Sequence, residues 1–122
     1  MDKHVLLIED EPNIIEAIRF ILTRDGWQVT THDSGEDAMA VLRAAAPDVV
    51  VLDVMLPGRS GFEVLQELRA DPAYEKLPVL MLTAKGQERD RELAERYGAS
   101  RFMTKPFANT EILASMRDLV GL

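Results

Sequence analysis

The 122-residue chain contains no cysteine. Disulfides and thiolate metal centres are therefore excluded, and the composition suits a small intracellular protein. Long apolar runs are also missing; none approaches the roughly 20 residues needed to cross a bilayer. Met1-Asp2-Lys3-His4 leads straight into an apolar stretch, so no signal peptide is expected. Positive charge is in deficit, with a formal net charge of −7. A nucleic-acid binder would show a basic face, so neither a nucleic-acid nor a membrane partner is expected, and a cytoplasmic location is. The imbalance is local. Residues 1–60 carry eleven acids against five bases, and residues 61–122 carry ten against nine.

What is present is an ordinary globular composition, 47% apolar and 29% charged. The length suits one domain, residues 1–122, with no stretch left over for an output domain. Five apolar runs at 4–8, 27–31, 48–52, 78–82 and 100–103 read as strands. Helical stretches separate them. Pro12 suits the first turn of a helix that ends at Asp25-Gly26. Ser34 and Asp37 resemble a capping box for a second helix, with Ala38, Val41, Leu42 and Ala45 inward. Ser60 with Glu63 is a full S-x-x-E box for a third, whose inner residues are Phe62, Leu65 and Leu68. The fourth helix, about 86–97, has only Leu93 and Ala94 as apolar residues between Gln87 and Arg96, which predicts weak packing. Asn109 starts the last helix, with Ile112, Leu113, Met116 and Leu119 facing in. Five βα units with short links predict a doubly wound α/β domain around a five-stranded parallel sheet.

In such a sheet the C-terminal strand ends share one edge, where ligands bind. Glu9 and Asp10 follow the first run, Asp53 the third, Thr83 the fourth, and Lys105 comes two residues after Phe102-Met103. Two carboxylates brought close repel unless a cation separates them. A hard divalent ion such as Mg²⁺ accepts one or two carboxylates, waters and phosphate oxygens. Lys105 and Thr83 suit the oxygens of a transferring phosphoryl group. A carboxylate can itself be the nucleophile and form an aspartyl-phosphate. Asp53 follows the most apolar run, hence the expected central strand, and is the candidate. His4 lies at the opposite strand end and His32 in an expected loop, so zinc is not expected. Taken singly, each residue also has a plain reading as a helix-terminus acid, a turn residue or a solvated lysine. Their convergence from four strands favours the site.

The motifs Leu7-Ile8-Glu9-Asp10-Glu11-Pro12, Val51-Leu52-Asp53-Val54-Met55-Leu56-Pro57-Gly58, Leu82-Thr83-Ala84 and Lys105-Pro106-Phe107 occur in the order and spacing of a known family. The chain resembles the receiver domain of two-component response regulators over essentially its whole length. The resemblance implies a flavodoxin-like sheet of order 2-1-3-4-5 with five helices. It implies that Asp53 accepts a phosphoryl group from a sensor histidine kinase or histidine phosphotransfer protein. Glu9, Asp10 and Asp53 would form the Mg²⁺ site, with the backbone carbonyl of Met55 as a further ligand. Thr83 and Lys105 would contact the phosphoryl oxygens, Ala84 would leave them room, and the Lys105–Pro106 bond would be cis. Phe102 would be the aromatic switch that responds to Thr83, and the fourth helix, fifth strand and fifth helix the surface offered to a downstream protein.

The sequence departs from the family's DNA-binding members at Ser100 and Arg101, where two acids commonly form intersubunit salt bridges. Rival readings each lack a residue. A small Mg²⁺-dependent aspartyl-phosphate phosphohydrolase commonly carries a second Asp where Met55 stands. An FMN binder needs a Ser/Thr/Gly-rich phosphate loop where Glu9-Asp10-Glu11 stands. A phosphate-independent receiver-like scaffold stays open on sequence alone.

Overall fold

The computed structural model describes residues 2–84 and 88–122. Strands β1 (His4–Ile8), β2 (Gln28–His32), β3 (Val49–Asp53), β4 (Val79–Ala84) and β5 (Arg101–Lys105) form one sheet in the order β2-β1-β3-β4-β5. Every neighbouring pair is parallel. Helices α1 (Pro12–Arg24), α2 (Ala38–Ala45), α3 (Gly61–Ala70), α4 (Glu88–Tyr97) and α5 (Asn109–Leu119) connect or close the strands, with a short 3-10 turn at Pro72–Tyr74. Residues 86 and 87, which open the expected fourth helix, lie outside the described residues.

The central strands are apolar throughout because both of their faces are covered. Leu6, Ile8, Val50, Leu52, Val79 and Met81 point to one face and pack with α2, α3 and Ala94 of α4. Val5, Leu7, Val49, Val51, Leu80 and Leu82 point to the other and pack with α1 and α5. Strand β2 is at the edge and only half-buried beyond its exposed first residue. The sheet order is the one that the resemblance implies.

Four expectations need correction. The later strands run further than their apolar residues, so that Asp53 ends β3, Thr83 and Ala84 lie inside β4, and Lys105 ends β5. Backbone pairing continues through these polar residues, with Thr83 opposite Thr104 and Ala84 opposite Lys105. Trp27 precedes β2 instead of starting it; its ring is buried with α1 and its indole N–H donates to Asp25 Oδ2 at 3.1 Å. His32 is not in a loop but ends β2, opposite Ile8, where its carbonyl accepts from the Glu9 N–H at 3.0 Å. The Ser34–Asp37 capping box does not form. Asp37 sits in the left-handed region at φ 57° without a side-chain cap bond, and the Ser34 hydroxyl instead donates to the Pro57 carbonyl at 3.1 Å.

The Ser60 box does form, in both directions: Ser60 Oγ accepts from the Glu63 N–H, and Glu63 Oε1 from the Ser60 N–H, each at 3.2 Å. It fixes the start of α3 directly beneath the site. At Gly61 a Cβ would stand 2.1 Å from the carbonyl oxygen of Asp53, so only glycine lets the helix come this close. Helix α4 behaves as its composition predicts, with Ala94 its single buried residue. Its C-terminal end is fixed from outside. The Arg69 guanidinium donates to the carbonyls of Gly98 (2.9 Å), Tyr74 (2.8 Å) and Leu77 (2.7 Å). Burial among these carbonyls lowers the Arg69 pKa.

Candidate functional site

The parallel sheet brings the predicted residues to one edge. Asp53 ends the middle strand and is 2% exposed, while Glu9, just past β1, is fully buried. Asp10 is exposed at the mouth. One carboxylate oxygen from each of Glu9, Asp10 and Asp53 can be chosen so that all three lie within 4.8 Å of one another. From the far side of the sheet edge, Lys105 Nζ reaches 3.2 Å from Asp53 Oδ2, 3.1 Å from Glu11 Oε1 and 2.9 Å from Glu9 Oε1. The Lys105–Pro106 peptide is cis, as the resemblance implies.

Glu9 divides its two oxygens. Oε2 accepts the backbone N–H groups of Asp10 (3.0 Å) and Glu11 (3.1 Å), which shapes the turn into α1. Oε1 faces Lys105 off the hydrogen-bonding direction, and among the described residues it is the buried side-chain oxygen left without a hydrogen bond. An orphaned buried oxygen beside two further carboxylates, with no sulfur or imidazole in the cluster, fits a hard cation. His32 lines the open cleft next to Asp10, yet its Nε2 is engaged by the Glu36 carbonyl at 2.7 Å.

The electrostatics express the same crowding. Burial, followed by the adjacent Glu9, pushes the Asp53 carboxyl from 3.8 up to about 7, against the downward pull of Lys105. For Lys105, burial alone would lower the ammonium pKa. The neighbouring carboxylates of Glu9, Glu11 and Asp53 outweigh burial and raise it. The site therefore sets three carboxylates, Glu9, Asp10 and Asp53, against the single ammonium of Lys105, a surplus of negative charge that a divalent ion would relieve.

Thr83 lies inside β4, one residue past Leu82, which pairs with Asp53. It is 1% exposed, and its hydroxyl donates not toward Asp53 but to Asp90 Oδ2 at 2.7 Å, on the first turn of α4. Ala84 beside it is exposed. Phe102 is half-buried against the core, with the Arg91 guanidinium 5.4 Å from its ring centroid. The Met55 side chain is 73% exposed at the mouth. Sequence reasoning missed Glu11 as a partner of Lys105 and Asp90 as a partner of Thr83. Glu11 was visible only as an acid before a helix; Asp90 gave no signal, since acids in a first helical turn are common.

The family model for the response regulator receiver domain matches residues 5–117. The chain belongs to this family. Among curated relatives, TcrX of Mycobacterium tuberculosis is 43% identical over 116 residues, which is 95% of this chain and 49% of that protein. PhoP of Bacillus subtilis, an alkaline phosphatase synthesis transcriptional regulatory protein, is 39% identical over 120 residues, 98% of this chain and 49% of PhoP. This receiver thus spans about half the length of the curated relatives it matches. Among solved structures, the receiver domain of the sensor histidine kinase PA1611 of Pseudomonas aeruginosa superposes with a TM-score of 0.90 at 27% identity, each chain covered in full. That structure holds a magnesium ion in its active-site cleft. As in the family, the receiver is a signalling module, and no helix among its described residues is long and apolar enough to cross a membrane.

The two positions that depart from the DNA-binding members are engaged within the chain. Arg101 pairs with Asp118 of α5. Ser100 Oγ accepts from the Val79 N–H at 3.0 Å.

Proposed function

We propose that residues 1–122 work as one phosphorylation-gated receiver with Asp53 as its phosphoacceptor. The observation that carries this reading is a buried carboxylate, Asp53, with a lysine ammonium 3.2 Å away and two further acids beside it. In the transfer, a carboxylate oxygen of Asp53 bonds to phosphorus as the phosphorus–nitrogen bond of a phosphohistidine breaks, and the imidazole nitrogen leaves with the electron pair. Glu9, Asp10 and Asp53, with the Met55 carbonyl, would hold Mg²⁺, which when bound offsets the negative charge gathered there. Lys105 meets charge that develops on the phosphoryl oxygens. Thr83 turns its hydroxyl to one of those oxygens, and Phe102 repacks beside it.

The donor is a sensor histidine kinase or a histidine phosphotransfer protein, and the protein acts with it in the cytoplasm. The receiver is no enzyme toward other substrates, since Met55 stands where phosphohydrolases carry their second acid. Its partner on the output side is a downstream protein or an output domain, met through α4, β5 and α5, and the net charge of −7 argues against nucleic-acid contact by this domain.

Intact-mass analysis after incubation with Mg²⁺ and acetyl phosphate tests the reading. The wild type should gain one phosphoryl group; Asp53→Asn, or the wild type pretreated with EDTA, should not. Absence of any gain in the wild type would refute it and favour the phosphate-independent scaffold.

A further inference from the structure

We propose that Asp90 is a positioning residue that holds the Thr83 hydroxyl in the unphosphorylated arrangement, so that a phosphoryl group on Asp53 must win this hydroxyl from Asp90. The inference rests on the reading of Asp53 as phosphoacceptor. It concerns a residue of α4 that lies outside the acidic cluster and does not contact Lys105.

Thr83 has one side-chain proton to donate, and Asp90 Oδ2 takes it at 2.7 Å. A carboxylate only accepts, and so do the oxygens of a phosphoryl group. The two acceptors therefore compete for one donor, and both cannot hold it together. The competition is between charged acceptors, whose hydrogen bonds are the stronger kind, so neither outcome is a trivial preference.

The competition is coupled to α4 because little else ties that helix down near the site. Glu88 and Arg89 are exposed, and Ala94 is the single buried residue of the helix. Among the described residues, Thr83–Asp90 is the one side-chain hydrogen bond that α4 makes, and α4 takes part in no salt bridge. Transfer of the Thr83 hydroxyl to a phosphoryl oxygen thus removes the polar tie of the first helical turn in the same event. Read in reverse, a partner that draws α4 away frees Thr83 and favours the phosphorylated site, as linkage requires.

The experiment is a titration of the full chain with beryllofluoride in the presence of Mg²⁺, with binding read by calorimetry and by fluorine NMR. It compares the wild type, Asp90→Ala, Asp90→Asn, Thr83→Ala and the double variant Thr83→Ala with Asp90→Ala. Thermal melts confirm that each is folded. Asp90→Ala should bind about tenfold more tightly than the wild type, the scale of one lost charge-assisted hydrogen bond. Asp90→Asn keeps an acceptor oxygen without the charge and should fall between them. In the Thr83→Ala background the Asp90 substitution should change nothing. That last comparison separates the latch from a plain change of charge or helix stability, which would persist without the hydroxyl. Unchanged or weaker binding by Asp90→Ala, or an equal effect in the Thr83→Ala background, would overturn the proposal while the acceptor reading stands. Failure of the wild type itself to bind beryllofluoride would remove the acceptor reading, and this inference with it.

Discussion

Replacement of Asp53 by asparagine probes the crowding of the site through stability alone, without any phosphoryl donor. In the cation-free folded chain, burial and Glu9 raise the Asp53 carboxyl to about 7, and unfolding returns it to its ordinary 3.8. Between these pH values the unfolded chain has released a proton that the folded chain still holds. Stability of the wild type therefore falls as pH rises from about 4 to about 7, and levels off once both states are charged. Asparagine has no such proton, and the other titrating groups are common to both proteins. From pH 5 to pH 8 the wild type loses roughly two pH units' worth of stability at about 1.4 kcal/mol each, or about 3 kcal/mol relative to the variant. For a domain of this size that corresponds to a difference in Tm that widens by roughly 10 °C. Circular-dichroism melts of both proteins in EDTA at pH 5 and pH 8 measure it. A constant gap at the two pH values, or a variant that becomes less stable than the wild type at pH 8, would refute the electrostatic account.

The same raised carboxyl makes Mg²⁺ compete with a proton, so calorimetric affinity should be about tenfold weaker at pH 6 than at pH 8; equal affinities at pH 6 and pH 8 would count against it. Gly61→Ala places a methyl 2.1 Å from the Asp53 carbonyl oxygen and should cost more than about 2 kcal/mol in urea denaturation, with slower labelling by acetyl phosphate. A variant as stable as the wild type would show that the strand end yields easily. Because Arg101 is paired with Asp118 inside the chain, beryllofluoride should leave the protein monomeric in size-exclusion chromatography. A clear shift to a dimer would refute this.

The sequence carried the fold well where burial on two faces left continuous apolar runs, as at Val49-Val50-Val51-Leu52, whose position in the middle of the sheet followed from its apolarity. It marked strand ends too early for a physical reason. Asp53, Thr83 and Lys105 are polar because they face a site, yet their backbones still belong to the ladder. The Ser34–Asp37 pattern misled because a capping motif is a local preference, and here the Ser34 hydroxyl has a better partner across the fold in the Pro57 carbonyl. Site membership was legible for Glu9, Asp10, Asp53 and Lys105, since strand ends in a parallel sheet converge whatever their side chains do. The direction in which Thr83 points was not legible, because it depends on Asp90, seven residues on, and on where α4 sets that carboxylate.

The anchoring of α4 by Arg69 has a mechanical consequence. The guanidinium grips the Gly98 carbonyl just past one end of the helix, while Asp90 sits near the other. A ten-residue helix is about 15 Å long, so the two attachments are separated by nearly its full length. A rod clamped at one end swings when its free end is released; it does not slide. On that reading, displacement would be greatest beside Thr83 and least at Gly98. A partner that rests on the far end of α4 touches much the same surface in both states, while one that reaches the near end meets two different ones. If the Asp90 tie is released as proposed, the place where a protein binds along this lever sets how much of the change at α4 it meets.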